Sequence, residues 1–142
     1  PILFNGEQPP LGKYFISLTI NFFNNETLTG PIFNLFSLVA LFLLGDLILK
    51  SKTWSLVLIA IFSLEKIFQV QMIYMPLLDN IQLFFVLLSF FFFLLWWKKR
   101  FSPIPAFIFL GFVISVKFWI TGAVIFLVWF LSWLIESLPL PF

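Results

Sequence analysis

Residues 81–97 read IQLFFVLLSFFFFLLWW, a run without a charged side chain that is followed at once by Lys98, Lys99 and Arg100. A helix that crosses the roughly 30 Å hydrocarbon core of a bilayer needs about 20 mainly apolar residues. Trp is enriched where the core meets the headgroups, and Lys and Arg are enriched in cytoplasmic connectors. The run therefore predicts a transmembrane helix with an aromatic belt and a basic anchor at one end.

The composition of the whole chain agrees with this interpretation. The 142 residues are 62% hydrophobic and 10% charged, with a mean hydropathy of +1.12. A soluble globular domain carries about 25% charged residues, so this chain has too few to cover a surface that faces water. The predicted fold class is an all-α integral membrane protein with four transmembrane helices and an N-terminal interfacial amphipathic helix.

The chain divides into an arm and a bundle. Residues 1–30 are predicted to form an extracytoplasmic arm, and residues 31–142 a four-helix transmembrane bundle. Within the arm, residues 11–24 predict the amphipathic helix, with an arm packed on the bundle as the alternative. Its apolar face would carry residues spaced at i, i+4, i+7 and i+11: Leu11, Phe15, Leu18 and Phe22. The four spans are expected at about 31–49, 54–75, 81–97, and 106–126 or longer.

The last apolar stretch, residues 106–137, has no Pro and is too long for one straight span. As one helix it would measure roughly 48 Å. Three arrangements fit this length: one long tilted helix, a helix broken near Thr121 and Gly122, or a span followed by an interfacial helix. The favoured prediction is one span with a bend or break around Gly122.

Charge predicts the topology. The connectors 50–53 and 98–102 hold five of the eight basic residues and no acidic one. If the spans alternate, both connectors lie on one side, which the positive-inside rule makes cytoplasmic. The protein is therefore expected to be multi-pass, with its N- and C-termini both on the non-cytoplasmic side.

Polar and charged residues inside the predicted spans are the candidate functional residues. A charge at the centre of a bilayer costs roughly 2.5–3.5 kcal/mol on insertion scales, so it is retained for a reason. Glu65, Lys66 and Gln69 form one polar stripe in the second span. Lys117 is expected near mid-membrane, where it would pair with Glu65. Asp46 is a partner for Lys66 or, at i+4, for Lys50.

Small residues in the fourth span predict close helix packing. Gly111, Ser115 and Gly122 recur at i, i+4 and i+11, which places them on one face of a continuous helix. Small side chains at such spacing let two helix backbones approach each other. The pattern favours a contact within the chain or with another subunit.

No residue pattern indicates catalysis, cofactor binding or a metal site. The chain has no Cys and no His, which removes thiolate ligands, the commonest haem and zinc ligand, and the usual general base. Glycine-rich phosphate loops and the HExxH and GxSxG patterns are also missing. The sequence predicts a protein that is not an enzyme and has no cofactor, while bound lipids or other hydrophobic cofactors stay open.

Three functional hypotheses follow. The first is a non-enzymatic integral membrane subunit, with a structural, accessory or assembly role in a larger membrane protein complex. The second is a small transporter or an ion- or proton-conducting component, with Glu65, Lys66, Gln69 and Lys117 on one polar path. The third is a membrane-embedded enzyme or lipid-binding protein, which predicts a pocket near one interface with convergent polar groups. The expected partners are membrane lipids and other membrane protein subunits, and not nucleic acid.

Overall fold

The computed structural model describes residues 10–73, 78–117 and 119–137, and the regular secondary structure of these residues is entirely helical, with no strand among them. The predicted helical class is therefore confirmed. A short 3-10 helix (Glu26–Leu28) precedes the second of seven α-helices. The α-helices are α1 (Pro10–Phe23), α2 (Thr29–Leu49), α3 (Lys52–Ser63), α4 (Lys66–Ile73), α5 (Leu78–Trp97), α6 (Ile104–Val116) and α7 (Trp119–Ser137).

Two helical segments are long and apolar enough to cross a membrane, judged by length and composition. They are Glu26–Leu49, which includes the 3-10 turn and α2, and Leu78–Trp97, which is α5. The other apolar helices among the described residues are shorter. The two long segments coincide with the first and third predicted spans.

Helices α2 and α3 form an antiparallel hairpin around Lys50. Lys50 adopts the left-handed conformation (φ 53°) and its N–H donates to the Asp46 carbonyl at 3.0 Å, which ends α2. The Ser51 side chain accepts from the Trp54 N–H and starts α3. A Cβ at Gly45 would lie 3.2 Å from Ser55 Oγ, so the glycine permits the close approach of the two helices.

Helix α5 runs parallel to α2 and antiparallel to α6. Phe33 near the start of α2 packs on Phe84 of α5, at a centroid distance of 5.8 Å. At the far end of α2, the Lys98 ammonium group donates to the Leu47 carbonyl. Two hydrogen bonds cross from α5 to α6, from Gln82 to the Val113 carbonyl and from Ser89 to the Ala106 carbonyl.

The C-terminal stretch is two helices that fold back on each other. Lys117 leaves the helical conformation (φ −145°, ψ −145°) and ends α6 after 13 residues. Beyond it, Gly122 packs on Ile114, and Trp129 packs on Phe107 at 5.9 Å, so α7 returns along α6. Of the three arrangements that fit the length, the structure has the broken helix, and its break lies at Lys117 instead of Gly122.

The interior consists of two aromatic-rich clusters along α5. The first gathers α2, α5 and α6 at the end where α5 begins and α6 ends: Phe33, Ile81, Phe85, Val113 and Val116. The second joins α5, α6 and α7 further along: Phe93, Ala106, Leu110, Ile125 and Trp129. Phe93 and Trp129 stack at 4.5 Å with an interplanar angle of 7°.

Helix α1 packs on the bundle with a face that differs from the predicted one. Leu11, Phe15 and Ile16 contact the first cluster, whereas Leu18 and Phe22 are exposed. Gly12 lies against the Val116 carbonyl, with room for no Cβ beside Leu78. The close approach at Gly12 determines which side of α1 faces inward. The predicted face was based on the spacing of apolar side chains, which does not take a glycine into account.

Candidate functional site

The second predicted span is interrupted where its polar stripe begins. Helix α3 ends at Ser63 and α4 starts at Lys66, after 3-10-type bonds from the Leu64 N–H to Ile61 and from the Glu65 N–H to Phe62. Gln69 turns back and its side-chain amide donates to the Ser63 carbonyl at 3.2 Å. The structure therefore divides the expected helix over 54–75 into two shorter helices.

The charges at this break point away from the protein interior. Glu65 and Lys66 are both exposed, and Glu65 forms no ion pair within the described residues. Their apolar neighbours Ile61 and Leu64 are 64% and 74% exposed. Phe68 is buried, and its ring contacts Phe62 at a centroid distance of 5.0 Å, so an aromatic contact joins α3 and α4 across the break. The exposed side is a charged patch among exposed apolar side chains.

Lys117 forms an ion pair with Asp79, whereas the expected partner was Glu65. The ammonium group donates to a carboxylate oxygen of Asp79 in the first turn of α5, and the Lys117 side chain is 21% exposed. Since Asp79 lies in the first turn of α5, Lys117 lies level with the N-terminal end of that helix and not with its middle. The sequence shows an acidic residue at position 79, but its pairing with Lys117 depends on where α6 ends.

Asp46 lies near the C-terminal end of α2, in a cleft of about 460 Å³. Lys50, Lys98 and Arg100 line the same cleft. Lys98 is held there by the 2.6 Å hydrogen bond from its ammonium group to the Leu47 carbonyl. Lys50 lies in the same cleft as Asp46, but no ion pair joins their side chains in the described part of the chain, and the structure adds two cations from the connector after α5.

The small residues of the last stretch separate into two roles. Gly122 is buried, and a Cβ there would overlap the Ile114 side chain. Gly111 is exposed and a Cβ there would meet no atom within 4 Å, while Ser115 is half-buried. The break at Lys117 places Gly122 on a different helix from Gly111 and Ser115, so the three do not share a helix face.

Two of the buried polar residues that sequence reasoning missed lie one turn apart on α2. Asn34 is fully buried, and both polar atoms of its amide lack a hydrogen-bond partner among the described residues. Ser37, one turn later, is also fully buried but donates to the Phe33 carbonyl at 2.8 Å. An Asn in an apolar run was a visible signal, since a polar amide is costly to bury.

A second cleft of about 260 Å³ is lined by aromatic residues of α5, α6 and α7. Trp96, Trp129 and Trp133 contribute indole rings. The Trp129 N–H is buried and has no acceptor in the described part of the chain. No group of three or more acidic residues that would suit a metal ion occurs within residues 10–73, 78–117 and 119–137.

No protein-family model, no curated protein and no solved structure matches this chain. The arrangement of its own residues is therefore the basis for a functional proposal.

Proposed function

We propose that the protein is a non-enzymatic integral membrane subunit of a larger membrane protein complex. Its docking face is the α3–α4 surface, defined by Ile61, Leu64, Glu65, Lys66 and Val70. The observation that carries this proposal is the exposed Glu65–Lys66 pair at a helix break, surrounded by exposed apolar side chains. Such a surface suits neither water nor lipid, but it suits a protein partner.

The membrane orientation of the proposed subunit follows from helix direction and charge. Helices α2 and α5 are parallel, so both basic connectors lie at one end of the bundle. The positive-inside rule makes this end cytoplasmic and places α1 on the opposite side. Because α7 returns along α6, its C-terminal end lies on the cytoplasmic side, which replaces the expectation that both termini are outside.

The depth of the break explains why lipid is a poor neighbour for it. Glu65 follows Lys52, the first residue of α3, by a helical rise of about 20 Å, which lies inside a hydrocarbon core of roughly 30 Å. Charged side chains and backbone groups freed by a helix break have no hydrogen-bond partners in lipid tails. A polar group of a neighbouring subunit would supply those partners.

The transport hypothesis has less support. It requires Glu65, Lys66, Gln69 and Lys117 on one hydrated path. Lys117 instead pairs with Asp79 at the start of α5, and Gln69 donates to the carbonyl that ends α3. Glu65 and Lys66 face outward. The accessory-subunit hypothesis needs no path through the chain.

Native mass spectrometry of the protein, gently extracted from its own membrane, tests the proposal. We expect the chain to be released together with at least one different membrane protein. The double variant Glu65→Gln, Lys66→Gln should lose that protein while it still inserts into the membrane.

The matched control is Glu26→Gln with Lys52→Gln. It removes one charge of each sign, as the test variant does, from exposed residues away from the break. The control should retain the partner. A chain that is always released alone or only as copies of itself would contradict the proposal.

A further inference from the structure

The cleft at the C-terminal ends of α2 and α5 combines a charged rim with an apolar wall. Lys50, Lys98 and Arg100 contribute three positive charges and Asp46 one negative charge. The wall below them carries only hydrocarbon side chains: Leu43, Leu47, Phe91 and Leu95. A surface of this kind matches a molecule that has an anionic head and an apolar tail.

The fold fixes the backbone of these three basic residues and also holds the Lys98 ammonium group. Lys98 donates one ammonium hydrogen to the Leu47 carbonyl at 2.6 Å, which joins the two helix ends. Lys50 has the left-handed backbone conformation that ends α2. Arg100 follows the end of α5, where its backbone N–H donates to the Leu95 carbonyl at 2.9 Å. Three cations on two connectors are thus gathered around one opening.

We propose that this cleft binds an acidic glycerophospholipid. The phosphate lies between Lys50 and Arg100, because a guanidinium group suits a phosphate with paired hydrogen bonds. The Asp46 carboxylate accepts a hydrogen bond from a headgroup hydroxyl, and one acyl chain lies along the wall formed by Leu47 and Phe91. Basic pockets between helices on the cytoplasmic side are typical sites for acidic lipid headgroups.

The inference rests on the proposed membrane orientation and extends it to a specific lipid site. Within that orientation the cleft lies at the cytoplasmic interface, where the headgroups of the inner leaflet are found. Free phosphate would engage the cations but leave the apolar wall uncovered. A lipid occupies both parts of the cleft, so the structure favours it over a soluble anion.

Lipid binding to the full chain tests the proposal. The purified protein in detergent is titrated with phosphatidylglycerol, and bound lipid is counted by native mass spectrometry. Lys50→Gln with Arg100→Gln should weaken binding roughly tenfold or more, since each basic residue near an anionic surface contributes about a fivefold factor. Phosphatidylcholine should bind the unmodified protein more weakly than phosphatidylglycerol.

The matched control is Lys52→Gln with Lys99→Gln. These lysines lie on the same two connectors but do not line the cleft, so their removal should change the affinity less than about threefold. Lys50→Arg with Arg100→Lys keeps both charges and should retain binding, which guards against a variant that merely misfolds. Equal weakening by the cleft and control pairs would overturn the site.

Two further measurements distinguish a bound lipid from a soluble anion and check the membrane orientation. Inorganic phosphate at millimolar concentration should not displace phosphatidylglycerol, and complete displacement would overturn the lipid assignment in favour of a phosphate site. Resistance to alkaline extraction from membranes tests membrane insertion independently. A chain that resists extraction but binds both lipids equally contradicts only the lipid site, whereas a chain released by alkali contradicts the proposed function.

Discussion

At the scale of single residues, Lys117 and Asp79 form an ion pair that joins the end of α6 to the first turn of α5. Lys117 stood out because a lysine in an apolar run must be neutralised or hydrated, yet its partner is Asp79, 38 positions earlier. That pairing required the end of α6 to meet the start of α5. Asn34 gave a weaker signal than the charges, although both polar atoms of its buried amide lack a hydrogen-bond partner in the described chain.

The Lys117–Asp79 pair should couple modestly. A double-mutant cycle with Asp79→Asn and Lys117→Met is expected to give a coupling free energy of about 1 kcal/mol, because Asp79 is 40% exposed and solvent screens the pair. The free energy of unfolding, measured by denaturant titration in micelles, supplies the four corners of the cycle. Strictly additive effects would show that the pair contributes nothing to stability.

Replacing Asn34 by Leu should stabilise the protein. Leu has the same branching pattern, and the change removes two buried polar atoms that cost about 1–3 kcal/mol when unpaired. Thermal unfolding followed by circular dichroism measures the gain. Ser37→Ala is the control and should change stability little, because the Ser37 hydroxyl already has an acceptor. Lower stability in Asn34→Leu would indicate that the amide has a partner that matters.

At the scale of helices, the sequence predicted where helices form better than it predicted whether each helix is unbroken. The segments α2 and α5 fall where hydropathy places them, because long apolar runs with Pro or basic residues at their ends leave few alternatives. The breaks after α3 and α6 carry neither Pro nor Gly. The break after α6 coincides with a tertiary contact, the pair of Lys117 with Asp79. The break after α3 instead has a local contact, the hydrogen bond from Gln69 to the Ser63 carbonyl six positions earlier. The spacing of apolar residues, on which the predicted spans rest, indicates neither contact.

The α6–α7 hairpin should be sensitive to one glycine and indifferent to another. Gly122→Ala is expected to destabilise the protein by roughly 1–3 kcal/mol, because the added Cβ overlaps Ile114 in a packed contact. Gly111→Ala is the matched control, and it should stabilise slightly since its Cβ meets open space in a helix. Unfolding in micelles compares the two variants. Equal effects would contradict the hairpin packing.

At the scale of the whole molecule, alternation of spans was the assumption that determined the predicted topology. The helix directions agree with it as far as α5, where each connector has a clear sequence signal. For residues 106–137 the assumption does not give the number of passes, because that number depends on whether the chain turns at Lys117. Hydropathy is uniformly high on both sides of Lys117 and therefore does not indicate that the chain reverses direction there.

Single cysteines test the proposed orientation, and the natural sequence has no Cys to interfere. Ser102→Cys and Ser137→Cys should react with a membrane-impermeant maleimide from the same side of a sealed vesicle. Thr27→Cys should react from the opposite side. If position 137 instead reacts together with position 27, the C-terminal end lies on the side of α1 and the proposed return of α7 is wrong.

The parallel arrangement of α2 and α5 has a consequence for the order in which the protein is assembled. The hairpins α2–α3, α5–α6 and α6–α7 join neighbours in the chain and can form as soon as each is synthesised. The contact of α2 with α5 must wait until residues far along the chain are made. At 5–20 residues per second, Leu49 precedes Trp97 by roughly two to ten seconds. During that interval the buried face of α2, Asn34 included, is open to whatever insertion factor or chaperone attends the growing chain.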